Sequence, residues 1–84
     1  GEDYLVLDVR KKEEISDDDP LFERVHVELV ELDKRAQELP RDRVIYTLCA
    51  SGDRATTAAS YLKSIGIDAQ VIIGGMKALK SLEA

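Results

Sequence analysis

Val44-Ile45-Tyr46-Thr47-Leu48-Cys49-Ala50-Ser51-Gly52-Asp53-Arg54 runs from an apolar, branched segment straight into a short Gly-containing turn. An apolar run of this length bounded by turn residues reads as a buried strand. Beyond it Ala55, Ala58, Ala59, Leu62 and Ile65 recur at helical spacing, and Gly66 stands where a left-handed residue would end the helix. The chain's single cysteine, Cys49, therefore lies at the carboxyl end of a strand, in the turn that feeds a helix N-terminus. Inward backbone N–H groups and the positive end of the helix dipole both favour thiolate over thiol there. Read this way, Cys49 is a reactive thiol. An inert buried cysteine is the bland alternative, and the loop setting weighs against it.

Working outward, Tyr4-Leu5-Val6-Leu7-Asp8-Val9 is a near-continuous apolar run of the kind a doubly covered parallel strand needs, and Ala69-Gln70-Val71-Ile72-Ile73 is a third strong strand. Val25-His26-Val27 has room only for a short strand. Leu29, Leu32, Ala36 and Leu39 predict one amphipathic helix stopped before Pro40, and Gly74-Gly75 opens a last helical stretch from Met76 to Leu82. Between the first two strands, Arg10 to Asp19 is charge-dense and reads as a short helical turn followed by a solvated loop. Alternating strands and helices predict an α/β fold, a small and mainly parallel sheet with helices on both faces. In such sheets the site lies beyond the carboxyl ends of the strands, where Asp8-Val9-Arg10, Cys49 and Gly74-Gly75 all fall.

The composition narrows the class. A chain of 84 residues makes a single domain over 1–84, either whole or a piece of a longer chain, and one this small buries roughly 60 to 65% of its unfolded surface. The fractions of hydrophobic residues, 44%, and charged residues, 35%, are those of a globular domain. No span approaches transmembrane length. One cysteine excludes an internal disulfide, so a reducing compartment, the cytoplasm, is the default location. With 12 Lys plus Arg against 17 Asp plus Glu the net charge is −5. No basic stripe with interleaved aromatics offers itself to nucleic acid. The acidic run Glu13 to Asp19 lacks a His or Cys to complete a metal set and reads as a solvated face. No metal is expected.

Leu7-Asp8-Val9-Arg10 with Glu14-Ile15 downstream, then Cys49-x-x-Gly52-x-Arg54, then Gly74-Gly75 before a terminal helix, resembles a rhodanese domain of the sulfurtransferase family. The resemblance covers most of the chain. It implies a cysteine that accepts a sulfane sulfur to become a persulfide, with the loop amides around it, no metal or organic cofactor, and a small sulfur donor or a protein persulfide as partner, with a protein as one option for the acceptor. Cys49 would be the nucleophile, and Ala50, Ser51, Gly52, Asp53 and Arg54 the substrate-binding loop. Loop length separates this reading from the related dual-specificity phosphatases, whose loop is one residue longer and so admits a phosphate. Asp18 to Arg24 stands where the family carries a Gly-rich segment, so that wall of the site departs from the pattern, and the family's Trp near Leu79 is missing.

The residues themselves agree with that chemistry. Thiolate attack on a sulfur donor, followed by removal of the outer sulfur by a second nucleophile, needs no general base. It needs inward N–H groups that hold negative charge through both steps, and Gly52 permits the curl that provides them. Arg54 is read as a fork for the anion, with a helix-face pairing to a carboxylate as its alternative, and the two can coexist. Asp8 and Arg10 are expected to support the loop, and Ser51 to brace it through its hydroxyl. Asp53 opposes the dipole and the guanidinium, so it is read as facing solvent and as favouring a donor less charged than thiosulfate. His26, between two valines, is expected on the surface or in packing. A catalytically idle rhodanese-like binding or regulatory module is the competing function. Donor, acceptor and oligomeric state carry no signal in the sequence.

Overall fold

Strand β1 (Tyr4–Asp8) occupies an inner position between β2 (Val25–His26) and β3 (Val44–Leu48), and β4 (Ala69–Val71) closes the far edge. The structure is a computed structural model that describes residues 3–17, 19 and 23–83. All four strands pair in parallel, in the order β2-β1-β3-β4. Parallel neighbours need crossovers, and the chain supplies α1 (Leu32–Arg35) between β2 and β3 and α2 (Asp53–Ser64) between β3 and β4, while α3 (Gly75–Glu83) follows the last strand. This is the α/β architecture expected from the alternation of apolar runs.

Register decides which residues share a face. Leu5 pairs with Ile45 and Leu7 with Thr47, so these four point to one side; Val6 with Tyr46 and Asp8 with Leu48 point to the other. The first side holds the main core, in which Leu7, Val9, Val27, Ile45 and Cys49 meet Leu32, Ala36, Ala58 and Leu62. Thr47 is buried on that side, and its hydroxyl donates to the Ala55 carbonyl at 2.8 Å, tying β3 to the start of α2. On the second side Leu48 and Asp8 are fully buried, whereas Tyr4 and Tyr46 stack edge to face with centroids 5.7 Å apart.

Two segments depart from expectation. The helix predicted from Leu29 to Leu39 is a 3₁₀ turn (Leu29–Glu31), the short α1 and a second 3₁₀ turn (Ala36–Glu38). Neither Glu28 nor Glu31 caps its first-turn amides with a side chain. Uncapped ends tighten into 3₁₀ geometry, while the buried spacing of Leu32, Ala36 and Leu39 survives. The acidic run is not all solvated: a 3₁₀ turn forms at Lys12–Glu14, but Asp19 is buried. Asp18, Pro20, Leu21 and Phe22, which belong to the atypical stretch, lie outside the described residues.

Helix α2 ends as its sequence predicts. Gly66 adopts φ +89°, its N–H reaches the Lys63 carbonyl at 3.1 Å, and the Ile67 N–H reaches Leu62 at 2.9 Å. This is the paired bonding of a left-handed helix stop, with Ile67 buried beyond it.

Candidate active site

The loop after β3 wraps around the sulfur of its own first residue. Cys49 Sγ accepts the N–H of Gly52 at 3.0 Å and that of Ala55 at 3.3 Å. Gly52 makes the curl possible with φ +113° and caps α2. The opening amides of a helix have no partner within it, and the Ala55 N–H finds one in sulfur. Both donors favour negative charge on Sγ.

The outer side of the loop is fixed by α3. The Met76 N–H donates to the Cys49 carbonyl at 2.7 Å and the Lys77 N–H to the Ala50 carbonyl at 3.0 Å. A trans peptide plane holds its C=O and N–H in opposite directions, so the amides of Ala50 and Ser51 face away from α3, toward the concave side of the loop. Among the described residues, the amides of Ala50, Ser51, Asp53 and Arg54 have no acceptor in the chain. They form a set of free donors beside sulfur, a backbone anion cradle. Gly75 lets α3 approach this closely: a Cβ there would lie 2.3 Å from the Cys49 carbonyl oxygen and 2.8 Å from that of Ala50.

Asp8 ends β1 and Arg10 follows it, both buried; among the described residues their side chains bond to each other and to Asp19, Glu14 and Arg24 rather than to the loop itself. Arg10 Nη2 is 2.8 Å from Asp8 Oδ2 and 2.8 Å from Asp19 Oδ2, and its Nη1 donates to the Glu14 carbonyl at 3.2 Å. Arg24 Nε approaches Asp8 Oδ2 at 3.1 Å, and Lys80 Nζ of α3 forms an ion pair with Asp19 Oδ1 at 3.2 Å. The hydrogen bonds that Arg10 donates to Asp8 hold its pKa above the ordinary value against the opposing effect of burial. Burial pushes the Asp19 carboxyl up, but Arg10, the Ser16 N–H and Lys80 outweigh it and hold the group well below the usual carboxylate range. His26 also belongs here, its Nε2 lying 2.7 Å from the Arg10 carbonyl.

Arg54 adopts the second of its two readings. Its Nη1 and Nη2 meet Glu14 Oε1 and Oε2 at 2.5 and 2.7 Å, a bidentate pair. Asp53 is exposed as expected, but as the first residue of α2 its carboxylate suits the helix dipole rather than opposing it. Ala50 is half-buried; Ser51 is exposed, and its hydroxyl makes no hydrogen bond among the described residues, so it does not brace the loop. An open cleft of about 300 Å³ lies beside the loop, lined by Arg10, Glu14, Ala50, Met76, Lys77 and Lys80. Sequence reasoning assigned no role to Glu14, Asp19, Arg24 or Lys80, because each meets its partner only through the tertiary fold. Glu14 alone stood inside a motif that could have flagged it.

A parallel sheet ending in a cysteine ringed by its own loop amides defines the class, and the chain belongs to the rhodanese-like domain family, whose sequence profile matches residues 1–82. It is 36% identical over 83 residues to the Bacillus subtilis protein named "Putative sulfur carrier protein YrkF", covering 90% of this chain and 41% of that protein. It is 27% identical over 77 residues to "Putative sulfurtransferase YtwF" of the same organism, covering 92% of this chain and 74% of that protein. A crystal structure of a rhodanese-related protein from Thermoplasma volcanium matches with a TM-score of 0.87 at 26% identity, covering 95% of this chain and 79% of that one. The chain thus spans less than half of the first relative's length. No helix among the described residues is long and apolar enough to cross a membrane.

Proposed function

We propose that this domain carries sulfane sulfur as a persulfide on Cys49 and hands it to a nucleophilic acceptor. The observation that carries the reading is the pair of N–H groups on Sγ with further free amides beside it. In the first half-reaction the Cys49 thiolate attacks the outer sulfur of the donor. A new S–S bond forms at Sγ, the donor's own bond to that sulfur breaks, and the leaving group departs with the electron pair. In the second, an acceptor takes the outer sulfur and Sγ regains its negative charge. Charge sits at or next to Sγ in both resting forms, so fixed donors serve both half-reactions without rearranging. Neither step requires a base, which suits a loop with no histidine. A thiol that must stay reduced suits a reducing compartment such as the cytoplasm.

Donors of two kinds fit this chemistry, thiosulfate and a persulfide borne on a protein or small thiol, and the acceptor is a small nucleophile such as cyanide or a protein thiol. The relatives' names, a sulfur carrier and a sulfurtransferase, support both the carrier and the enzyme form of the reading. The competing reading, an idle binding module, draws on one observation: Cys49 is only 1% exposed, with the loop arginine already paired. Intact mass after treatment with a sulfur donor, together with thiocyanate formation from cyanide, decides between them. The wild type gains one sulfur and Cys49→Ser gains none; a folded wild type that gains no sulfur from any donor is an idle module.

A further inference from the structure

Arg54 is the one cationic side chain within the Cys49 to Arg54 loop, and Glu14 occupies both prongs of its fork. Glu14 is not a surface carboxylate that reached the arginine by chance. It closes the 3₁₀ turn Lys12–Glu14, its Oε1 accepts the Lys11 N–H at 3.2 Å, and its own carbonyl accepts Arg10 Nη1 at 3.2 Å. Arg10 is in turn locked by Asp8 and Asp19. The carboxylate is therefore delivered to the loop by a buried scaffold; both partners are about one-third exposed, and Glu14 lines the cleft.

A planar guanidinium makes its strongest anion contact as a two-pronged fork. With the fork filled by Glu14, a dianion such as thiosulfate meets a neutral pair and, next to it, the exposed carboxylate of Asp53. Within the loop it is left with the amide cradle unless it displaces Glu14, with Lys77 and Lys80 of the cleft beyond the loop. A persulfide on a thiol needs only its outer sulfur in the cradle, and its leaving group carries a single charge.

We propose that Glu14 is a specificity-determining residue that masks Arg54, turning the site against dianionic donors and toward persulfides carried on thiols. This rests on the sulfur-transfer reading above. With a persulfide donor R–S–S⁻ the Cys49 thiolate forms a new S–S bond to the outer sulfur, the donor's own S–S bond breaks, and R–S⁻ leaves with the electron pair; with thiosulfate the same displacement releases sulfite. Charge balances in each, and no oxidant or reductant is consumed.

The test compares sulfur loading of Cys49, by rapid-quench intact mass, from thiosulfate and from 2-hydroxyethyl persulfide, whose only charge is on sulfur. The quantity read is the ratio of kcat/KM for the two donors. Wild type should favour the persulfide, and Glu14→Gln should shift the ratio toward thiosulfate on the order of 10-fold, the weight of one freed charge-assisted contact, chiefly through a lower KM for thiosulfate. The shift should vanish in Glu14→Gln/Arg54→Gln, where the unmasked fork is gone; a shift that persists there reflects a loosened loop and overturns the proposal. So does an unchanged ratio in a folded Glu14→Gln, or a wild type that loads equally fast from both donors. Should Glu14→Gln not fold, Glu14→Asp, whose shorter arm cannot fill both prongs, must shift the ratio the same way. A wild type that loads from neither donor overturns the sulfur-transfer reading and this proposal together, whereas loading without selectivity overturns only the proposal.

Discussion

Gly75 shows how one missing Cβ shapes a site that lies twenty-six residues away in sequence from Cys49. Its φ of +60° and its approach to the Cys49 and Ala50 carbonyls leave no room for a side chain against rigid backbone. Gly75→Ala is expected to cost on the order of 1–3 kcal/mol and to lift α3 off the loop. Thermal melting should show the loss of stability, and sulfur loading should fall by more than the unfolded fraction explains. Sequence reading placed Gly75 beside the site through the Gly74-Gly75 pair. It did not reveal that the contact is made to the loop's carbonyls. At the same scale Cys49 and Gly52 were legible because their positions follow from local order alone: strand, turn, helix. Arg54 was open between two readings, since the choice depends on a carboxylate forty positions earlier.

Among the elements, the end of β1 and the turn after it bear the greatest electrostatic load. Arg10 is 3% exposed and holds two carboxylates, so its removal leaves Asp8 and Asp19 buried and facing each other with less positive charge between them. Breaking a buried pair of this kind costs about 3–5 kcal/mol, and Arg10→Met should lower the urea midpoint accordingly while leaving the unfolding slope unchanged. The strands and α2 could be read directly from the sequence, because apolar period and glycine position are local signals. The run from Arg10 to Asp19 misled for the opposite reason. A dense string of charges reads as solvated unless a partner is known to lie opposite, and Arg24 and Lys80 are brought there only by folding. The segment from Leu29 to Glu38 kept its buried stripe but not its helix, since capping rather than periodicity decides the geometry of so short a piece.

For the molecule as a whole, the ion pairs set a pH floor. Arg54 holds the Glu14 carboxyl at about 2, against an ordinary value of 4.5. A carboxyl depressed on folding contributes stability that is complete above its unfolded value and disappears as pH falls through the folded one. Glu14 therefore stabilises the fold above about pH 4.5 and loses that contribution between there and about pH 2. Asp19 is depressed too and acts in the same direction. The melting temperature should fall steadily across that interval, and Glu14→Gln should flatten the part of the curve that Glu14 causes. A wild-type melting temperature that stayed constant from pH 5 to pH 2 would contradict this account.

The bonds from Met76 and Lys77 to the loop carbonyls also set an order in time. During synthesis, β3, Cys49 and α2 are all made before the residues that orient the loop's peptide planes. Until residues 76 and 77 dock, the cysteine sits on a strand end without its finished cradle. On the proposed sulfur-transfer reading, the site is thus complete only once α3 has docked.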